Sequence, residues 1–301
     1  MLGWLGSVTS ALTFRPGPGA GRSAAELYAP SLASAPAIRF AGVWSRSPEA
    51  ARGLAARCSV PFFGGFAEML DYCDAVAFAV PPAAQPSLAA TAAGRHVALL
   101  LSRPIADDLA GAEELAEAVA DDVVSQVALT WRYAPAVRTY LGTQVRRARP
   151  IGGTARLISA ALASDAPTWR AERGVLMDVG VDVVDLLDAA LGHTALIRAH
   201  GDPRGCVGLL LEHEGGRYSE ASLLATAPAD QPARAEIEIF GPGGSAMIDC
   251  SDVTEREAVG TMVEEFADAV GHRRPHPLDV RHGLHLQRLL DAAETDLLAG
   301  H

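Results

Sequence analysis

Lysine is absent from this chain of 301 residues: all 25 basic side chains are arginine, set against 36 acidic ones for a net charge of −11. Without lysine there is no Schiff-base chemistry, no lysine general base and no phosphate loop of the Walker type. Positive charge is short overall, with a sequence pI near 5.3. That excludes nucleic acid and anionic membrane surfaces as expected partners, because both require clustered cations. A small neutral or anionic ligand held by a few local arginines remains compatible. Cysteine is scarce as well. Cys58, Cys73, Cys206 and Cys250 lie far apart, with no C-x-x-C pair and no ligand-like spacing to histidine. This fits buried thiols in a reducing cytosol and no metal centre. No run approaches the ~18 apolar residues of a membrane span. The mildly apolar Met1 to Phe14 has no positive flank before it, so no signal peptide is read and the chain is expected to be cytoplasmic.

What is present is a large apolar fraction, 49%, with 20% charged residues. That is enough for a sizeable core, excludes disorder, and at this length suggests two domains or one large α/β unit. In the first half, short apolar runs alternate with helical patterns, the signature of βαβ units and a parallel sheet. Strands are expected at Ile38 to Trp44, Ala75 to Val80, Arg95 to Leu101 and Val123 to Thr130, with helices from Pro48, over Gln85 to Ala93 and over Ala106 to Ala120. Ser47 is a natural N-cap with Pro48 at the first helical position. From about Arg149 strand-like segments follow one another from Gly153 to Cys250, interrupted by one helix, Val175 to Leu191, and two helices close the chain. The expected fold is α/β: residues 1–130 as a dinucleotide-binding domain, then residues 131–301 as an α+β domain with a large, mostly antiparallel open sheet, the last helices packing back on the first domain.

Gly19 and Gly21, with Ala24, read as G-x-G-x-x-A ahead of a helical stretch, and Gly17 opens the same glycine-rich run. Glycines there allow the tight turn and the close approach of backbone N–H groups to a pyrophosphate. Pro16 and Pro18 suit a central strand badly, and Leu2 to Leu5 offers another first strand, with Gly6 opening an enlarged loop. Roughly 20 residues on, where an acid would read the ribose 2′-OH of NAD, stand Ser45 and Arg46, a pair suited to the 2′-phosphate of NADP. Plain alternatives, a flexible loop and a solvated arginine, stay open for each feature taken alone.

The stretches VWSRSPEAARGLAARCSVPFFGGFAEMLDYCDAVAFAVPP, AGRHVALLLSRPIADD and RGVLMDVGVDVVDLLDAALG, in that order, resemble the glucose-fructose oxidoreductase and inositol dehydrogenase (Gfo/Idh/MocA) family. The resemblance runs from about Tyr28 to the last helix. It implies a Rossmann domain followed by an open-sheet domain used for homodimer or homotetramer contacts. It also implies NADP, or NAD, as cofactor, and hydride transfer to or from a carbinol or carbonyl carbon of a small sugar-like or polyol substrate. Pro81 and Pro82 would lie against the nicotinamide side. Two positions depart from the family. Its E-K-P appears as Ser102-Arg103-Pro104, and its D-x-G-x-H-x-x-D as Asp178-Val179-Gly180-Val181-Asp182-Val183-Val184-Asp185. Arginine orients an oxygen well but, with a pKa above ~12, does not accept protons near neutrality.

Proton transfer therefore falls to a carboxylate. On a regular helix Asp178, Asp182 and Asp185 fall within about 60° of one another, close enough that mutual repulsion raises one pKa. Arg103, Asp178 and Asp182 are the candidate catalytic residues. Arg132, Trp169 and Asp185 are the candidate substrate contacts. The plain alternative for the aspartates is a solvated acidic face. His272, His276, His282 and His285 read as surface or helix-end residues. A second functional reading is a relative that keeps the fold and binds cofactor or metabolite without turnover, having lost the lysine and histidine. A redox-neutral elimination or epimerisation is a third.

Overall fold

The computed structural model describes residues 8–14, 23–160, 162, 173–228 and 230–300. The chain opens with β1 (Val8–Phe14), whose small and β-branched residues suit a strand covered on both faces: Ala11, Leu12 and Thr13 are fully buried. Its span corrects the expectations for the first strand. Pro16 and Pro18 come after its last residue in sequence and, like Leu2–Leu5, lie outside the described residues. Helix α1 begins as a wide π turn (Ala24–Tyr28) and continues as Ala29–Ser34. β2 (Ile38–Ser45) follows, then α2 (Pro48–Cys58), where the Ser47 hydroxyl accepts from Ala50 N as an N-cap. After these come α3 (Phe66–Leu70), β3 (Ala75–Ala79), α4 (Gln85–Ala93), β4 (Ala98–Leu101), α5 (Leu109–Ala118) and β5 (Ser125–Val127).

The second half contains α6 (Pro135–Thr139, extended by a π turn to Val145), β6 (Gly152–Ile158) and α7. The last is a π turn, Leu176–Gly180, running into Val181–Leu191. Strands β7 (Thr194–Gly201), β8 (Cys206–His213), β9 (Arg217–Leu224), β10 (Arg234–Gly241) and β11 (Gly244–Asp249) follow. Helices α8 (Glu255–Gly271) and α9 (Val280–Ala299) close the described chain. Two compact units result: Met1–Thr130 with Glu255–His285, and Trp131–Thr254 with Leu286–His301.

In the first unit five strands lie in the order β2-β1-β3-β4-β5, all parallel. β1 is an interior strand, and the chain leaves it first to one side, for β2, and then to the other, for β3. That reversal opens a crevice at the carboxyl ends of β1 and β3. The β1–β2 register shifts between Ser10 and Ala11, leaving Ala41 unmatched. Gly42 sits at this bulge with φ +152, and a Cβ there would stand 2.5 Å from the Pro61 carbonyl oxygen. α8 and α9 contribute to the same unit through buried polar ties. Gln126 Nε2 donates to Met262 O at 3.0 Å, and Val280 N donates to Ser125 Oγ at 3.1 Å.

In the second unit six strands lie in the order β11-β10-β6-β9-β8-β7, antiparallel except for the β6–β9 pair. Alternation is clean, β8 reading exposed–buried along its length, so one face is packed and the other open. α7 lies on the packed face. A Cβ on Gly153 would meet Ile239 Cδ1 at 2.6 Å and Leu191 Cδ1 at 3.4 Å, so a small residue there lets helix and sheet close up.

Candidate functional site

The carboxyl edge of the parallel sheet gathers several of the residues singled out from sequence. Backbone register places Phe14 of β1 beside Ser45 of β2 on one side and Ala79 of β3 on the other. The turns that leave these three strands therefore start from a single level. Gly17, Gly19 and Gly21, in the segment after β1, lie outside the described residues. After β2, Ser45 is buried and its hydroxyl accepts from Ser47 N at 3.2 Å, while Arg46 is exposed beside the start of α2. After β3, Pro81 and the one-turn helix Pro82–Ala84 follow, with both prolines buried.

The turn after β4 carries Arg103, half-buried, between Ser102 and Pro104. Ser102 is held on three sides. Its hydroxyl donates to Phe78 O at 2.5 Å, its N–H donates to Gln85 Oε1 at 2.8 Å, and its carbonyl accepts from Gln85 Nε2 at 2.9 Å. Tyr28, on α1, is in electrostatic reach of Arg103 and Glu255. Burial pushes its hydroxyl up to about 12, the Arg103 guanidinium pulls it down and Glu255 adds to the rise. The phenol is thus a proton holder at neutral pH.

In the second unit the three aspartates of α7 are buried: Asp178 is 0%, Asp182 5% and Asp185 1% exposed. This removes the solvated-face alternative. Buried carboxylates need partners or a task, since an ionised group away from water is costly. The regular stripe expected from sequence is also modified. Asp178 falls in the π turn Leu176–Gly180, while Asp182 and Asp185 sit on the α-helical part. A π turn holds more residues than an α turn, which rotates Asp178 relative to the other two, and such turns recur at functional sites.

Asp185 is paired. Arg132 Nη1 donates to its Oδ1 at 2.8 Å, with the arginine side chain 22% and the aspartate side chain 1% exposed. Two expected substrate contacts are thus contacts of each other. Arg132 is fixed further through its carbonyl, which accepts from Arg138 Nε at 3.0 Å. Near Asp182, burial pushes the Cys250 thiol up to about 12, with Asp249 and Asp182 adding to the rise, so it stays protonated and is no nucleophile. Of the four thiols expected to be buried, Cys73 and Cys250 are, whereas Cys58 is half-buried at a helix end and Cys206, on an outward-facing position of β8, is exposed. Trp169 lies outside the described residues. Arg103 belongs to the first unit and the aspartates to the second.

Two groups escaped the reading of the sequence. Gln85 looked like an ordinary helix start after a proline pair, and only its zero exposure and main-chain partners single it out. The second is the buried His213, whose Nδ1 lies 2.9 Å from Gly192 O and 3.1 Å from Thr194 Oγ1 and whose Nε2 lies 2.8 Å from Ser219 Oγ. Because a carbonyl only accepts, Nδ1 carries the proton and Nε2 accepts from Ser219. Burial lowers the His213 pKa against the opposing pull of the Gly192 carbonyl and Asp188. With Ser219 fully buried, this cluster ties strands together rather than meeting a ligand.

A family model described as "Oxidoreductase family, NAD-binding Rossmann fold" (GFO_IDH_MocA) matches residues 19–128. No curated protein matches the chain. Among solved structures, a UDP-N-acetylglucosamine 3-dehydrogenase from Acidithiobacillus ferrooxidans superposes with a TM-score of 0.84 at 18% identity, covering 98% of this chain and 99% of that one. An oxidoreductase from Agrobacterium radiobacter in complex with NAD+, L-tartaric acid and magnesium gives 0.84 at 18% identity over 98% and 97%. A scyllo-inositol dehydrogenase from Lactobacillus casei with bound NAD(H) and scyllo-inositol gives 0.80 at 14% identity over 97% of each chain. At these identities the likeness establishes the fold of the whole chain, and the family model carries the link to nucleotide binding. Among the described residues no helix is long and apolar enough to cross a membrane.

Proposed function

We propose that this chain, a member of the Gfo/Idh/MocA oxidoreductase family, is an NADP-preferring dehydrogenase or reductase of a small sugar-like, polyol or related carbonyl metabolite. The observation that carries the reading is the common level of the β1, β2 and β3 ends, from which the glycine segment, Ser45–Arg46 and Pro81–Pro82 all depart. The residues present fit a dinucleotide. The strand order reverses at this edge, and Ser45 followed by the exposed Arg46, in place of an acid at the end of β2, supports a 2′-phosphate there. Gly17, Gly19 and Gly21 would hold the pyrophosphate, and Pro81 and Pro82 would border the nicotinamide. When bound, that ring supplies or accepts a hydride at its C4.

The chain's own residues then have the remaining tasks. Arg103 is assigned to orient and polarise the substrate oxygen, a role its fixed charge and forked donors suit. Asp182, with Asp178 beside it on α7, is assigned as the proton relay, taking the hydroxyl proton as the carbinol is oxidised and returning it in reduction. Arg132, held by Asp185, is assigned to a substrate oxygen or carboxylate, and Trp169 to the substrate's apolar side. The ligands bound in two of the similar structures, scyllo-inositol and L-tartaric acid, support a small polyhydroxylated compound. We also assign the chain to the cytoplasm and to a homodimer or homotetramer formed through the second sheet. One row across its open face runs Met247, Glu238, Thr154, Glu220, Leu210, Arg198. Met247 is 63% and Leu210 41% exposed there.

The test is NADPH and NADH binding to the purified protein, followed by turnover on a panel of inositols, sugars and hydroxy acids. Binding with turnover supports the proposal, and absence of nucleotide binding refutes it. A second reading is favoured by one observation: arginine and aspartate stand where the family has lysine and histidine. Under it the protein binds nucleotide or metabolite without turnover. Nucleotide binding with no turnover on any substrate in the panel, restored by Arg103→Lys with Asp182→His, would select it.

A further inference from the structure

Past Leu101 the regular ladder of β4 ends, and the main chain of the next four residues needs other partners. Gln85, at the start of α4, supplies them from a fully buried position. Its Oε1 accepts from Ser102 N at 2.8 Å, while its Nε2 donates to Ser102 O at 2.9 Å and to Ile105 O at 2.9 Å. The carboxamide thus treats Ser102 as a neighbouring strand would, bonding both its N–H and its C=O. Arg103 lies between the two anchored points. Only an amide meets this pattern, because it offers an acceptor and two donors in one plane. A carboxylate would face two carbonyl oxygens, and a thioether would strip these bonds from three main-chain groups, the buried Ile105 carbonyl and the half-buried N–H and C=O of Ser102.

We infer that Gln85 is a positioning residue for Arg103: its amide ties the turn after β3 to the turn after β4 and so sets where the guanidinium is presented. The inference rests on the assignment of Arg103 proposed above. It adds that the nicotinamide-side turn, Pro81–Pro82, and the substrate-orienting arginine are coupled through one buried side chain. A purely structural amide would affect global stability without a local effect at Arg103.

The test compares the wild type with Gln85→Met and Gln85→Glu. Phenylglyoxal labelling is followed separately at each arginine-containing peptide by mass spectrometry, between pH 6 and 8, alongside NADPH affinity by fluorescence. In Gln85→Met the rate at Arg103 should change by about fivefold or more while the rates at Arg39 and Arg198 stay within about twofold. In Gln85→Glu the ratio of Arg103 to these reference arginines should approach the wild-type value at low pH, where the carboxyl is protonated and can donate, and depart from it as pH rises. The wild-type ratio should be flat. If Gln85→Met fails to fold, the pH dependence of Gln85→Glu decides. The inference is overturned if Arg103 tracks the reference arginines in every folded variant. Failure of the wild type to bind NADPH would instead remove the oxidoreductase reading and leave the labelling result standing.

Discussion

Exchanging lysine for arginine at position 103 separates two jobs that one amine could share. Arginine keeps the charge and the hydrogen-bond donors but cannot take a proton near neutral pH, which is why the proposed mechanism gives the acid–base role to a carboxylate. Asp182→Asn keeps size and polarity while removing the ionisable group. It should lower kcat by about 100-fold or more with NADPH affinity little changed, measured by steady-state kinetics beside fluorescence titration. The Arg132–Asp185 pair is a different case, since its cost on disruption is one of stability. Asp185→Asn would strip the counter-charge from a largely buried guanidinium and should destabilise the protein by about 2–3 kcal/mol in urea unfolding, the lower end because Arg132 stays partly solvated. Asp185→Leu combined with Arg132→Met should recover most of that loss.

At the scale of elements, the helices and strands were legible wherever periodicity and end signals agreed. Ser47-Pro48 marked the start of α2, and the apolar run Ala75 to Val80 marked a central strand. The first strand was not legible. The prolines at 16 and 18 drew attention to a segment beyond the strand, while Val8–Phe14, with its threonines and serine, has no alternation because both its faces are covered. The aspartates were singled out by the family resemblance, and their spacing placed them on one stripe. Neither their burial nor the π turn under Asp178 follows from a count at about 100° per residue, since both depend on what packs around the helix. Gln85 was invisible for a similar reason: its partners are main-chain groups about twenty residues away, which leave no side-chain signature.

Two predictions belong to elements. Gly42→Ala at the β1–β2 bulge would drive a Cβ into the Pro61 carbonyl and demand a backbone angle that suits glycine, so it should cost about 2 kcal/mol or more in thermal or urea unfolding. The His213 tie makes the second sheet sensitive to acid. Its folded pKa is lowered, so the unfolded chain takes up the proton first. The contribution is full above the unfolded value of about 6.5 and is lost as pH falls below it towards the folded pKa. Tm measured from pH 8 to pH 5 should therefore fall on the acid side, and His213→Gln should flatten that part of the curve.

At the scale of the whole molecule, the parallel sheet with its reversal in strand order supplies the edge proposed for the nucleotide, and the mixed sheet with one open face supplies the surface proposed for self-association. Light scattering with size-exclusion chromatography should give a dimer or tetramer, and Leu210→Asp with Met247→Asp should shift it towards monomer. The proposed roles all depend on nucleotide binding at the ends of β1, β2 and β3 with Arg46 reading the 2′-phosphate. Its most direct measurement is a calorimetric titration of the wild type and of Arg46→Ala with NADPH and NADH. The wild type should bind NADPH about tenfold or more tighter than NADH, and Arg46→Ala should lose that preference while keeping NADH affinity. No heat of binding with either nucleotide, or a preference unchanged by the substitution, would contradict it.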